Sequence, residues 1–458
     1  MDISQFTNND FKVKSLGNRR VKSPLILSKR DGDGVYNYVL DGDRILYNPS
    51  IKSIKKYTDE GILPISFEKA GPKEFIFFDP SKTKVGIVTC GGLCPGLNNV
   101  IRGLVMQLNY RYNVRRILGF KYGYEGFIAE YNHPYVELTP SLVANIHTLG
   151  GTILGSSRGK QDIGAIVDTL EINNINILFT IGGDGTQSGS HVIHEEIERR
   201  GLKIAMVGIP KTVDNDLNFV NKTFGFETAF TIANAIVRDA HNEAKGAYNG
   251  IAIVKLMGRD SGFIAANAAL ATQEANFVLI PEMPFTLGGE NGFLNALKKR
   301  LEKSHHALII VGEGAGQFLF EESKFQETDA SGNKKFKDIG LLLKAEISNE
   351  FKKQNFPHTI KYIDPSYIIR SAAANANDSK FCNLLAQNAV HAAMAGYTDV
   401  LIGHWSENFT LLPIPAAVKE RKKINLESEL WWNVLETTGQ PTKMVDEEFQ
   451  QPVTKSEV

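Results

Sequence analysis

The chain has 458 residues, 42% hydrophobic and 22% charged, a composition able to bury a substantial core without cross-links. Lys+Arg and Asp+Glu balance at 51 each, so no global charge draws the chain to nucleic acid or to a membrane surface. Its three cysteines, Cys90, Cys94 and Cys382, are too few and too odd for a disulfide framework, and no second pair or histidine cluster completes a zinc set.

The N-terminal stretch MDISQFTNNDFKVKSL lacks the apolar centre of a signal peptide. No run approaches the roughly 20 apolar residues that span a bilayer. A reducing, cytoplasmic setting is therefore expected. Residues 1–80 mix short β-like runs (VYNYVL, DRILYN) with charged turns and read as an extension, either an accessory lobe or an oligomer arm.

From Lys84 short apolar strands alternate with helical stretches, the pattern of an α/β domain with a mainly parallel sheet. VGIVTC (85–90), RRILGF (115–120), ILFTI (177–181) and KIAMVGI (203–209) are expected strands, with a helix from about Asn98. A second alternation runs from about 225 to 370. It has a helix at 225–240, strands IAIVKLM, FVLIPE and HALIIVGEG, and an amphipathic helix NGFLNALKKRLEKS between the last two. A later helix over 381–396 precedes the apolar run DVLIGHW, and the charged tail carries Trp431 and Trp432 as an expected docking point. No repeat of 20–50 residues is present.

Three strand ends carry candidate chemistry. GGLCPGLNN (91–99) joins a strand to a helix, where glycines let the backbone approach an anion and the helix start offers free N–H groups. It is neither a G-x-x-x-x-G-K-[ST] loop nor a G-x-G-x-x-G fingerprint, and it also suits a plain turn. GGDGT (Gly182–Thr186) sets three glycines around Asp184, which suits phosphates with a magnesium ion on the carboxylate. A tight turn with Asp184 capping the next helix would look the same. PKTVDND (210–216) places Asp214 and Asp216 two apart, on one face of an extended segment. Paired carboxylates separate their pKa values and supply a base. In open α/β sheets, ligands gather at such carboxyl ends, so the three loops are expected to converge for phosphoryl transfer. Arg158, Arg259 and Arg370 suit phosphate recognition, and Glu313 can accept hydrogen bonds from sugar hydroxyls.

With these motifs the chain resembles the 6-phosphofructokinase family, in its ATP-dependent, longer branch with a PKT-type loop. The resemblance covers about 84–411 and rests on TCGGLCPGLNN, GSSRG, GGDGTQ, PKTVDND, KLMGRDSG, VGEG and DPSYIIR in order. It implies two Rossmann-like three-layer domains with mainly parallel sheets. Residues 81–224 with 371–412 would bind nucleotide and 225–370 sugar phosphate, flanked by the 1–80 extension and a 413–458 tail. It further implies phosphorylation of fructose 6-phosphate at its 1-hydroxyl by ATP with Mg²⁺, in a homotetramer under allosteric control. Asp214 matches the family's proton acceptor, with Thr212, Asp216, Lys211 and Arg259 around the reacting phosphoryl and Asp184 at the magnesium. Gly92, Tyr124, Arg158, Gly159, Gly183, Gly185, Thr186 and Gln187 match nucleotide positions. Met257, Gly258, Arg259, Glu313, Lys361, Tyr367 and Arg370 match sugar-phosphate positions.

Some positions depart from the short bacterial enzymes. Tyr367 replaces a His, Lys361 an Arg contributed across subunits, and Gly250 another such Arg. Gly185 favours ATP, because an Asp there would crowd and repel a nucleotide α-phosphate; Lys211 is shared with pyrophosphate users. A pyrophosphate-dependent enzyme and a catalytically silent subunit of the same fold are the alternatives. NAD or lipid kinases share only the GGDGT loop, and a dinucleotide-binding dehydrogenase lacks its fingerprint.

Overall fold

The computed structural model describes residues 3–320, 328 and 335–446. The end of the expected tail, 447–458, lies outside the described residues. Two compact α/β units form, residues 1–226 with 370–421 and residues 227–369 with 422–458.

The first unit is built on a nine-stranded sheet. Its centre is five parallel strands in the order Val400–Trp405, Ala205–Pro210, Ile177–Gly182, Lys84–Thr89, Arg116–Phe120. These strands read as continuous apolar runs because both faces are covered. Val88, Leu178 and Met206 pack under the helices Ile163–Ile172 and Asp184–Arg199 with Ile166, Val167, Ile193 and Ile197. Residues one position along, Ile87, Phe179 and Val207, are as fully buried. The helices Leu97–Met106 and Ala376–Met394 lie so close that a Cβ on Gly103 would stand 2.7 Å from that of Ala386.

The N-terminal residues do not form a lobe of their own. Strands Arg44–Leu46 and Ser66–Lys69 extend the sheet antiparallel beyond Asn408–Pro413. Phe6, Phe11 and Phe67 join Phe219, Leu401 and Leu412 in one cluster, with Phe11 edge-on to Phe67 at 5.0 Å and to Phe219 at 4.8 Å. Phe6, Phe11, Ile65 and Phe67 thus belong to the first unit's core, whereas Ile26, Leu40 and Leu63 stay exposed.

The second unit holds four parallel strands in the order Phe277–Leu279, His306–Gly312, Gly250–Leu256, Thr359–Ile363. Ile251, Ile253, Ile309 and Val311 pack against Phe293, Leu297 and Leu301 of helix Phe293–Ser304 and Leu343, Ile347 and Phe351 of helix Ile339–Lys353. Of the two tail tryptophans only Trp431 docks, buried in helix Glu429–Thr438; Trp432 stays 54% exposed.

Candidate active site

Strands 84–89, 177–182 and 205–210 are successive neighbours, so the first unit's three motif loops leave the sheet side by side. The first loop is stitched to GSSRG. Thr89 Oγ1 donates to the Gly155 carbonyl at 2.6 Å, the Gly91 N–H to the Ser157 carbonyl at 3.0 Å, and Ser156 Oγ to the Gly91 carbonyl at 2.5 Å. A Cβ on Gly92 would stand 3.1 Å from Arg158 Nη2, so a side chain there would press on the guanidinium.

In the second loop Gly183 precedes helix Asp184–Arg199, leaving Asp184 in the first turn, where an anion is favoured. A Cβ on Gly185 would meet no atom within 4 Å. Gln187 braces this loop from below. Its Nε2 lies 3.2, 3.1 and 3.2 Å from the carbonyls of Thr180, Gly182 and Ile209, tying two strand ends together. Tyr124 donates its hydroxyl to the Thr186 carbonyl at 2.9 Å.

The third loop departs from the extended form expected of it. Asn215 has φ +54°, a conformation Asn tolerates, and residues 213–214 turn. Asp214 and Asp216 consequently lie in different environments. Asp216 is 4% exposed and accepts a 2.7 Å hydrogen bond from Thr212 Oγ1. Burial, then the nearby charge of Asp184, raises its carboxyl above the usual range; Thr212 and Arg421 act against this. Among residues 211–216, Asp214 alone is not buried. Asn215 and Thr223 lock the loop: the Thr223 N–H donates to Asn215 Oδ1 at 3.0 Å and Thr223 Oγ1 to the Thr212 carbonyl at 2.7 Å. Lys211 points back to the first loop, its Nζ donating to the Gly92 carbonyl at 2.6 Å. Burial lowers its ammonium below the ordinary lysine range.

Among the described residues no group of three or more His, Cys, Asp or Glu forms a metal cage. Magnesium in phosphoryl transfer needs none, being held by one or two carboxylates and the substrate's phosphates. Asp184 and Asp216, close enough to sense each other's charge, are a hard-oxygen pair that fits this mode.

In the second unit, strand Gly250–Leu256 runs into Met257-Gly258-Arg259 and its neighbour His306–Gly312 into Glu313. Arg259 has φ +45°, and its N–H donates to Glu313 Oε1 at 3.0 Å. A Cβ on Gly314 would fall 1.9 Å from the Arg259 carbonyl, so only glycine lets these loops meet. Four residues before Arg259, Lys255 places its Nζ 2.7 Å from Asp338 and 2.9 Å from Asp364. Asp338 caps helix Ile339–Lys353, and Asp364 opens the DPSY segment.

The phosphofructokinase family profile matches residues 84–393. An ATP-dependent 6-phosphofructokinase of Borreliella burgdorferi is 52% identical over 443 residues, covering 95% of this chain and 98% of that protein. The ATP-dependent 6-phosphofructokinase of Trypanosoma cruzi is 44% identical, covering 95% and 89%. The fold resembles a pyrophosphate-dependent phosphofructokinase of Marinobacter aquaeolei, with TM-score 0.64 at 19% identity over 80% of this chain and 93% of that one. The chain belongs to the phosphofructokinase family.

The other residues matched to the phosphofructokinase site differ in their surroundings. Gln187 is fully buried, and its Nε2 is bonded to main-chain carbonyls, so it braces the loop. Met257 is 1% exposed, with its side chain in the core. Lys361 pairs in register with Ala252, five residues before Met257 and so about 16 Å back along the sheet. It is exposed there, away from its own loop end. Tyr367 is 83% exposed, and Arg370 falls in the first unit. Gly250 has a steric reason: a Cβ would stand 2.0 Å from the Ala244 carbonyl, so no arginine fits.

Two residues escaped the sequence reading. Lys255 sits inside KLMGRD but reads as a plain strand residue. Arg421 lies in the basic run Arg421–Lys423, yet its Nε is 2.5 Å from Asp184 Oδ2 across 237 positions of sequence.

Proposed function

We propose that this chain transfers the terminal phosphoryl group of ATP to the 1-hydroxyl of fructose 6-phosphate, giving fructose 1,6-bisphosphate and ADP. One observation supports the catalytic assignment: of the loop's two carboxylates, Asp216 is buried and held by Thr212, whereas Asp214 is only partly buried. Its carboxylate accepts the proton of the 1-hydroxyl as that oxygen bonds to the γ-phosphorus, and the bond to the ADP oxygen breaks. Such transfers rest on positioning and charge, with little covalent work for the protein. Asp184 and Asp216 would hold magnesium together with the phosphates, and the ion would supply positive charge to the transferring group. Thr212 fixes Asp216, and Lys211 fixes the first loop through the Gly92 carbonyl and adds positive charge. Arg158 and the amides of 183–186 suit nucleotide phosphates. Arg259, held by Glu313, suits the sugar phosphate.

Gly185 supports ATP as donor, since the space beside it is open to a nucleotide. In this reading Lys361, exposed and distant from its own loop end, serves a neighbouring copy in a homo-oligomer. No helix among the described residues is long and apolar enough to cross a membrane, which agrees with a cytoplasmic enzyme. Purified protein with fructose 6-phosphate and Mg²⁺, offered ATP or pyrophosphate separately, tests the proposal. Turnover with ATP is expected. Turnover with pyrophosphate alone would overturn the donor, and turnover with neither would favour a silent subunit.

A further inference from the structure

Arg421 meets the catalytic loops twice. Its side chain lies on Asp184, Nε to Oδ2 2.5 Å, with the two side chains 29% and 21% exposed. Its backbone forms an antiparallel bridge with Leu217, the residue after Asp216. Asp216 lies within range of both the Asp184 and the Arg421 charge. The guanidinium therefore occupies the electrostatic position that a divalent cation takes beside these two carboxylates.

We propose that Arg421 is an internal stand-in for the metal, which metal-bound nucleotide must displace from Asp184. This rests on the reading of Asp184 as the magnesium-associated carboxylate. The swap has a specific consequence. A metal ion arriving alone must break the ion pair and brings no anion to replace Asp184. A metal ion arriving on a nucleotide brings phosphate oxygens, which a guanidinium binds in the same forked geometry as a carboxylate. Arg421 thus makes the site discriminate against free metal and favour the metal–nucleotide complex.

Mn²⁺ binding to the nucleotide-free protein, followed by the loss of its aqueous paramagnetic resonance signal, tests this directly. Arg421→Met is expected to bind Mn²⁺ about threefold to fivefold more tightly than wild type, the range an ion pair of this exposure can contribute. Arg421→Lys, which keeps the charge, is expected to stay near wild type. Mn²⁺ alone should raise the unfolding temperature of Arg421→Met more than that of wild type. Should Arg421→Met fail to fold, Arg421→Gln removes the charge while keeping hydrogen-bond donors. Unchanged or weaker Mn²⁺ binding in the neutral variant, with Asp184→Asn weakened, would overturn the role of Arg421. Asp184→Asn binding Mn²⁺ as wild type does would instead overturn Asp184 as the metal carboxylate.

Discussion

The two units hold their loops by different means. In the first, buried hydrogen bonds do the work: Gln187 gathers the carbonyls of Thr180, Gly182 and Ile209, and Thr223 gathers the Thr212 carbonyl and Asn215 Oδ1. In the second, the close approach of Gly314 and the Arg259 N–H bond to Glu313 join the loops, and a half-buried ion cluster forms around Lys255 nearby in sequence. Phosphoryl transfer rewards fixed dipoles that need not reorganise, so the buried scheme suits the loops that carry the reacting charge. A loop that must only recognise a phosphate tolerates the more exposed one.

The largest effect is expected where that contrast is deepest. Gln187→Leu leaves three buried carbonyls without their shared donor and should lower stability by about 3 kcal/mol, read as a fall in unfolding temperature with faster hydrogen exchange over helix Asp184–Arg199. A loss under about 1 kcal/mol would mean the buried bracing is dispensable.

Acid next separates two buried histidines of the first unit from the Lys255 cluster of the second, although burial also lowers His306 of the second unit. Burial lowers His194 and His391, both in the first unit, to about 4. Each is raised to about 6.5 in the unfolded chain, which therefore binds more protons below that pH. Stability of the first unit should fall from about pH 6.5 down to about 4. The Lys255 cluster behaves differently: its hydrogen-bonded partners Asp338 and Asp364 are held below the usual carboxylate range. Its contribution persists above about pH 3.9 and is lost only as these carboxylates protonate below it. Hydrogen exchange resolved by segment at pH 7, 5 and 3.5, read around His194 and His391 and around Lys255, would show the two windows. A single shared window would break the comparison.

Lys255→Met should have a smaller effect on stability but raise KM for fructose 6-phosphate several-fold, with kcat and KM for ATP little changed. Equal losses in both substrates would mean the cluster serves the fold alone. The smallest change in stability is expected of Gly185→Asp. Its side chain meets open space in a helix's first turn, so stability should shift by less than about 0.5 kcal/mol while KM for ATP rises.

The sheet cores were legible because parallel strands buried on both faces, such as 177–182 and 205–210, are uninterrupted apolar runs. Motif loops at their ends followed from chain order. Three things were not legible. Asn215 breaks the two-residue alternation through a positive φ, so the carboxylates flanking it part company. Gln187 reads as one more polar residue of a polar helix start, and only the neighbouring strand reveals what it bonds. Arg421 is a non-local partner, brought to Asp184 by a chain return that no short pattern announces.

The central claim is that Asp214 takes the proton from the sugar hydroxyl. Steady-state turnover of Asp214→Ser with fructose 6-phosphate and MgATP, alongside nucleotide binding to the same variant, tests it. A fall in kcat of about 10²- to 10⁴-fold with nucleotide affinity retained is predicted. A near-normal kcat would contradict it.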